Sequence, residues 1–341
     1  MQKILIVERI DENAIEGLKK DFLVDIRYDL EKEELYEMIK DYDGLIIRSI
    51  TKVNKELLNR ATNLKIIGRA GNGVDNIDIE ECSKRGIIVC NTPTSNTISA
   101  CELTIAMMIN LNRNVSLANT DLKAGNFRRN LFIGNELYKK TLGIIGLGRI
   151  GSLVATRMQA FGMDVIAYDP YIKDEKFDNL NVKKIDNLND LLKKADIITL
   201  HTPKTKETLN MISFDEFKIM KEDSIIINVA RGGIIDEKAL LNALKKKRIK
   251  GAGLDVFEVE PCLDNPLFEY DNVLVTPHMG ASTKEAQIRV GQNVCTQVRC
   301  GLFGFEVNNI LNKELLMKNK LQKAKIIKNY DLNLKNEGAL K

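Results

Sequence analysis

The chain has 341 residues, 44% apolar and 29% charged, with 22 glycines, 6 prolines and no tryptophan; at roughly 150 residues per domain this predicts two globular domains and excludes collagenous or low-complexity sequence. No apolar run reaches the ~18 residues that span a bilayer, and the opening Met1-Gln-Lys-Ile-Leu-Ile-Val runs into a strand-like segment, so no secretory leader is expected. The net charge is +4, and residues 313–341 alone supply eight lysines against three acidic residues, so the body is near neutral and offers no basic stripe for nucleic acid.

Short apolar runs at 4–7, 23–26, 45–47, 65–68 and 87–90 are rich in Ile and Val and continuous rather than alternating. Such runs predict strands buried on both faces. A long helix is predicted over about 97–113, where Ile98, Cys101, Ile105 and Met108 recur at helical spacing. A second set of runs follows at 142–145, 165–168, 197–200, 225–229, 252–255 and 273–275. Strands alternating with helices imply right-handed βαβ units and parallel sheets. The fold class expected is therefore α/β, with two doubly wound parallel-sheet domains of about five and six strands. The second set is read as an inserted dinucleotide-binding domain. That gives residues 1–95 as the first segment of a substrate-binding domain, 96–280 as the inserted domain and 281–305 as a helix returning to the first. Residues 306–341 are left as a lysine-rich tail, expected to be solvated or a frayed helix.

Six cysteines (Cys82, Cys90, Cys101, Cys262, Cys295 and Cys300) form no C-x-x-C pair. Neither a zinc framework nor a disulfide scaffold is expected; no metal is assigned, and a reducing, cytoplasmic setting is.

Gly146, Gly148 and Gly151 form G-x-G-x-x-G directly after a strand and open a helix whose Ile150, Val154, Met158 and Phe161 share a face. Gly146 permits the tight turn, Gly148 lets backbone approach a pyrophosphate, and Gly151 allows helix and strand to pack closely. The helix N-terminus then offers free N–H groups to the anion. Asp169 ends the next strand, where its carboxylate accepts from ribose hydroxyls and repels a 2′-phosphate; NAD is expected over NADP. Capping of the strand is the plainer role for Asp169.

Only two histidines exist, His201 and His278, both at predicted carboxyl ends of strands. Imidazole is the side chain best tuned to take a hydroxyl proton at neutral pH. His278 is the preferred base, because Glu260 lies one βα unit earlier and would orient the ring. His201 is read first as structural, and second as part of a loop along the cofactor. Arg231 follows another strand, where a guanidinium grips a carboxylate and polarises a carbonyl; an ion pair is its plainer role. Gly71, Asn72 and Gly73 form a glycine-flanked turn able to cradle a carboxylate. Arg48 and Arg69, at strand ends of the first domain, are candidates for a substrate phosphate, and Arg129 is a candidate contributed by a neighbouring subunit.

Four ordered motifs, 68–78 (Gly-Arg-Ala-Gly-Asn-Gly-Val-Asp-Asn-Ile-Asp), 147–151 (Leu-Gly-Arg-Ile-Gly), 228–233 (Asn-Val-Ala-Arg-Gly-Gly) and 277–287 (Pro-His-Met-Gly-Ala-Ser-Thr-Lys-Glu-Ala-Gln), together resemble the D-isomer-specific 2-hydroxyacid dehydrogenases over about residues 3–305. The resemblance implies a discontinuous flavodoxin-like domain around an inserted Rossmann domain, and a homodimer or homotetramer. It also implies NAD-linked oxidation of a D-2-hydroxy acid, with Arg231, Glu260 and His278 as the catalytic residues. Arg149, Ile150, Asp169, Thr202, Ala230, Asp255, Gly280 and Ala281 match positions lining the NAD site. The last motif and residues 156–163 point to members acting on 3-phosphoglycerate. Hydroxypyruvate, glyoxylate or another D-2-hydroxy acid is the alternative substrate, and an NAD-sensing binding protein is a third reading. Besides further copies of the chain, the partner expected is a small-molecule substrate, and neither nucleic acid nor membrane. Asn72 departs from the family pattern in the substrate loop. The chain ends soon after the core, so a C-terminal regulatory domain and serine feedback through it are not expected.

Overall fold

The computed structural model describes residues 1–318 and divides into two units, Met1–Asn96 with the chain from 282 on, and Thr97–Ala281. In the first unit the apolar runs pair as five parallel strands, β1 (Lys3–Ile6), β2 (Leu23–Ile26), β3 (Gly44–Ile47), β4 (Ile66–Arg69) and β5 (Ile88–Asn91). Their order is β2-β1-β3-β4-β5, the flavodoxin-like arrangement. Alternate residues feed two cores: Leu5, Leu45, Ile67 and Val89 on one face, Ile4, Ile46, Ile66 and Cys90 on the other. β3 is buried throughout, whereas β2 at the edge is at most half-buried.

The returning helix Lys284–Phe303 covers the second face. It begins at Thr283, whose hydroxyl accepts from Ala286 N–H at 3.2 Å, and ends at Gly304 with φ 80°. Val294 and Val298 press so closely on β4 that a Cβ at Gly68 would lie 2.6 Å from Val298 Cγ2. The stretch after 305 begins differently from the solvated tail expected. Leu311 N–H donates to Val89 O, and buried Asn312 donates to Ile87 O and Ser83 Oγ while accepting from Val89 N–H. A short helix, Lys313–Lys318, then buries Leu316. The anchor is a polar side chain, which a hydropathy pattern does not register. The rest of the lysine-rich tail, 319–341, lies outside the described residues.

The second unit holds seven parallel strands, one more than expected: β6 (Thr141–Ile145), β7 (Asp164–Tyr168), β8 (Lys183–Lys184), β9 (Ile197–Leu200), β10 (Ile225–Asn228), β11 (Gly251–Leu254) and β12 (Val273–Val275). The additional strand is β8, an exposed Lys-Lys edge with no apolar signal. The order β12-β11-β10-β9-β6-β7-β8 is that of a Rossmann sheet extended by one strand. Its direction reverses between β6 and β9, which opens a crevice at their carboxyl ends. The helices Thr97–Arg113 and Arg149–Ala160 pack together on one face, where Met107, Met108, Val154 and Met158 join Ile144 and Ile227 in one core. None of the helices among the described residues is long and apolar enough to cross a membrane.

Candidate functional site

The glycine loop lies at that crevice. Gly146 has φ 94°, a conformation that costs glycine little, and a Cβ there would lie 2.8 Å from the His201 carbonyl. The end of β6 is thus packed directly on the end of β9. At Gly151 a Cβ would meet Gly146 O at 2.2 Å, so the helix can approach the strand only without one. At Gly148, by contrast, an added Cβ meets nothing within 4 Å among the described residues. Open space therefore lies where the first N–H groups of the helix Arg149–Ala160 emerge, beside Arg149 and Ile150. Asp169, just past β7, is tied to the loop: Oδ2 accepts from Leu147 N–H at 2.8 Å and Oδ1 from Tyr171 N–H at 3.0 Å. Each oxygen keeps further acceptor capacity. The Thr202 hydroxyl is buried with no hydrogen-bond partner among the described residues. Open backbone at a helix N-terminus, an anchored carboxylate and an orphaned hydroxyl fit a dinucleotide.

Three loops meet at the carboxyl ends of β10, β11 and β12. A Cβ at Gly232 would clash with Phe257 O at 1.7 Å, and one at Gly280 would touch Val229 and Asp255 at 3.3 Å. His278 Nδ1 lies 2.6 Å from Glu260 Oε2, and both side chains are partly exposed. Glu260 Oε1 accepts from Phe257 N–H at 3.0 Å. Burial alone would raise the Glu260 carboxyl. The hydrogen bond and charge of His278, the Phe257 N–H and the Arg231 charge together hold it below the ordinary value. Arg231 donates to Ala230 O at 2.6 Å, and Ala230 N–H is held by Asn228 Oδ1.

His278 itself has φ 50°, an uncommon conformation for a residue with a side chain. Asp255, 1% exposed, accounts for it. Its Oδ1 accepts from Thr276 Oγ1 at 2.6 Å and Met279 N–H at 2.7 Å, and its Oδ2 from Gly280 N–H at 2.9 Å. Burial raises this carboxyl despite those bonds. Asp255, matched by resemblance to the cofactor lining, thus directs both oxygens at the loop carrying His278 and Gly280, which Ala281 follows. Its partner Thr276 was not singled out from sequence; a threonine after a strand carries no signal of its own.

His201 is different in kind. Its Nε2 lies 3.1 Å from Thr199 Oγ1, and burial of the ring pushes its pKa down to about 3. It is a neutral imidazole at physiological pH.

In the first unit, Gly71 has φ 144°, and a Cβ there would fall 1.7 Å from Arg69 NH1, so the turn wraps the guanidinium. Asn72 and Gly73 follow, with Asn72 exposed. Arg48 donates to Arg9 O at 3.2 Å and Gln287 Oε1 at 2.8 Å. Burial lowers the Arg48 pKa, with Glu8 opposing. Glu8 also accepts from the N–H groups of Arg48, Ile50 and Thr51. Gln287 closes the 277–287 motif without a role of its own in the sequence, and Glu8 carries no signal there, because no spacing rule links residues so distant in the chain. Arg129 is exposed in the 3-10 turn Arg129–Phe132 of the second unit, beside an Arg128 paired with Asp121.

Residues 105–280 match the model of the D-isomer specific 2-hydroxyacid dehydrogenase, NAD binding domain. The chain is 49% identical over 325 residues to a D-3-phosphoglycerate dehydrogenase of Methanocaldococcus jannaschii, covering 95% of this chain and 62% of that protein. It is 43% identical over 326 residues to that of Bacillus subtilis, with coverages of 95% and 62%. The chain thus spans about three fifths of the length of these curated relatives. Among solved structures, the TT0316 protein of Thermus thermophilus is similar with a TM-score of 0.85 at 32% identity, covering 91% of this chain and 100% of that one. D-lactate dehydrogenase from Aquifex aeolicus, complexed with NAD and lactic acid, gives 0.79 at 30% identity, covering 93% and 98%.

Proposed function

The chain belongs to the D-isomer specific 2-hydroxyacid dehydrogenase family, and we propose that it oxidises D-3-phosphoglycerate to 3-phosphohydroxypyruvate with NAD, the opening step of serine biosynthesis. The observation that carries the chemistry is the 2.6 Å contact between His278 Nδ1 and Glu260. The phosphorylated substrate is supported by the relatives at 42–49% identity that bear that name.

NAD, when bound, supplies the acceptor for the hydride that leaves the hydroxyl-bearing carbon with its electron pair. With Nδ1–H donating to Glu260, the neutral ring of His278 presents Nε2 as its proton acceptor. The substrate hydroxyl gives its proton there as the C=O bond forms, and the imidazolium returns it in the reverse direction. Glu260, held below its ordinary pKa, stays ionised and stabilises the imidazolium. Arg231 pairs with the substrate carboxylate and the developing carbonyl. The carboxylate also meets the turn of Gly71, Asn72 and Gly73. Arg48, Arg69 and a second subunit's copy of Arg129 take the phosphate.

A homo-oligomer is supported by large apolar side chains left exposed on the second unit. The helix Val115–Lys123 buries none of its residues, and Phe127 and Ile133 are each 81% exposed. Large apolar side chains this exposed suit burial against a second copy. A cytoplasmic location is supported by six cysteines that are all free.

The test compares NAD reduction by D-3-phosphoglycerate and by D-glycerate. A higher kcat/KM for the phosphorylated acid is expected, and Arg48→Ala or Arg69→Ala should raise its KM about ten- to a hundredfold, the size of one lost charge-assisted bond. Preference for the unphosphorylated acid overturns the assignment in favour of the second reading, to which the likeness with D-lactate dehydrogenase points. Absence of turnover on any D-2-hydroxy acid leaves an NAD-sensing binding protein.

A further inference from the structure

The turn of Gly71, Asn72 and Gly73 can offer N–H groups to an anion only if its carbonyls face elsewhere. Both are held. The Gly71 carbonyl accepts from Thr92 N–H at 2.9 Å, and the Asn72 carbonyl accepts from Asn91 Nδ2 at 2.6 Å. In a planar trans peptide the C=O and the following N–H point in opposite directions. Gripping these two carbonyls from the end of β5 therefore turns the N–H groups of Asn72 and Gly73 away from it. Among the described residues, neither of those N–H groups donates to anything.

Asn91 is itself fixed. It is 4% exposed, and its carbonyl accepts from Nε2 of Gln297 at 2.8 Å. Gln297, buried in the helix Lys284–Phe303, accepts in turn from Asn309 N–H at 3.1 Å. The arrangement is costly, because Asn91 Oδ1 is buried with no hydrogen-bond partner among the described residues. An apolar side chain of similar shape would avoid that penalty. What only the amide provides is the bond to the Asn72 carbonyl.

We infer that Asn91 is a positioning residue for the substrate carboxylate: its side-chain N–H, by holding the Asn72 carbonyl, aims the Gly73 N–H outward as a carboxylate donor. This rests on the reading of the 71–73 turn as the carboxylate cradle. It is independent of the phosphate, since every D-2-hydroxy acid carries the carboxylate.

The test uses whichever D-2-hydroxy acid the wild-type protein turns over best. Asn91→Leu should raise the KM for that acid about tenfold, with the KM for NAD within twofold and the melting temperature not lowered. Asn91→Asp, which sets an oxygen against the Asn72 carbonyl, should raise the acid's KM at least as much. Gly73→Pro removes the N–H itself and should do the same, and combining it with Asn91→Leu should add little. If Gly73→Pro raises the KM and both Asn91 variants leave it unchanged, the cradle stands and the role of Asn91 is overturned. If Gly73→Pro folds and leaves the KM unchanged, the cradle fails and the inference with it. A parallel worsening of both KM values with a lowered melting temperature in both Asn91 variants would reduce Asn91 to a fold-holding residue.

Discussion

His278 and His201 stand at the carboxyl ends of strands in one parallel sheet, and their surroundings make them opposites. His278 follows β12 on a loop clamped by Asp255, partly exposed, with one ring nitrogen on a carboxylate. His201 follows β9 against the glycine loop, with a threonine hydroxyl beside its ring and its protonated form suppressed by burial. A strand-end position in an open α/β sheet marks where a ligand binds, but it does not make a histidine a base. That takes access to the proton donor and an anion on the far nitrogen.

The comparison breaks first if both histidines respond alike to removal. His278→Ala should lower kcat by about 10²–10⁴, the usual contribution of a positioned acid–base group, with NAD affinity little changed. His201→Asn should cost far less in kcat. A second variant sharpens the role of the clamp. Asp255→Asn sets an amide N–H against one of the three donors that converge on the carboxylate, at a cost of about 1–3 kcal/mol. It should lower kcat about tenfold and the melting temperature by several degrees; a shift in NAD affinity alone would mean that the clamp does not serve His278. The smallest effect is in stability. Between about pH 6.5 and about 3 the unfolded chain takes up a proton at His201 that the native ring refuses, so stability falls as the pH falls. The slope is about 1.4 kcal/mol per unit for one such group. Urea unfolding of His201→Asn at pH 6.5 and pH 5 should show a smaller decline than the wild type.

The large-scale order was legible because it rests on local patterns. Short apolar runs located eleven of the twelve strands among the described residues, and the spacing of Gly146, Gly148 and Gly151 marked the turn at the end of β6. What sequence did not show shares one physical feature, polar groups of backbone or side chain acting across long chain separations. β8 is two lysines held by pairing with β7. Asn312 fastens the end of the described chain to β5 from more than 200 residues away. Asp255 uses its buried oxygens on a hydroxyl 21 residues later and on backbone N–H groups 24 and 25 residues later, and Asn91 reaches back 19 residues to Asn72. No periodicity encodes such bonds; they follow from where the sheets place their strand ends.

The most direct test of His278 as a base governed by its carboxylate is the pH profile of kcat/KM for the hydroxy acid in Glu260→Gln beside the wild type. Glutamine keeps the size of the side chain and removes its charge. The imidazole then holds its proton less tightly, and an anion within hydrogen-bond distance is worth about 1–3 pKa units. The account predicts that the acid limb of the profile moves to lower pH by about that amount, with a reduced plateau. Superimposable acid limbs would remove Glu260 from the mechanism and contradict the assignment of His278 as its partner base.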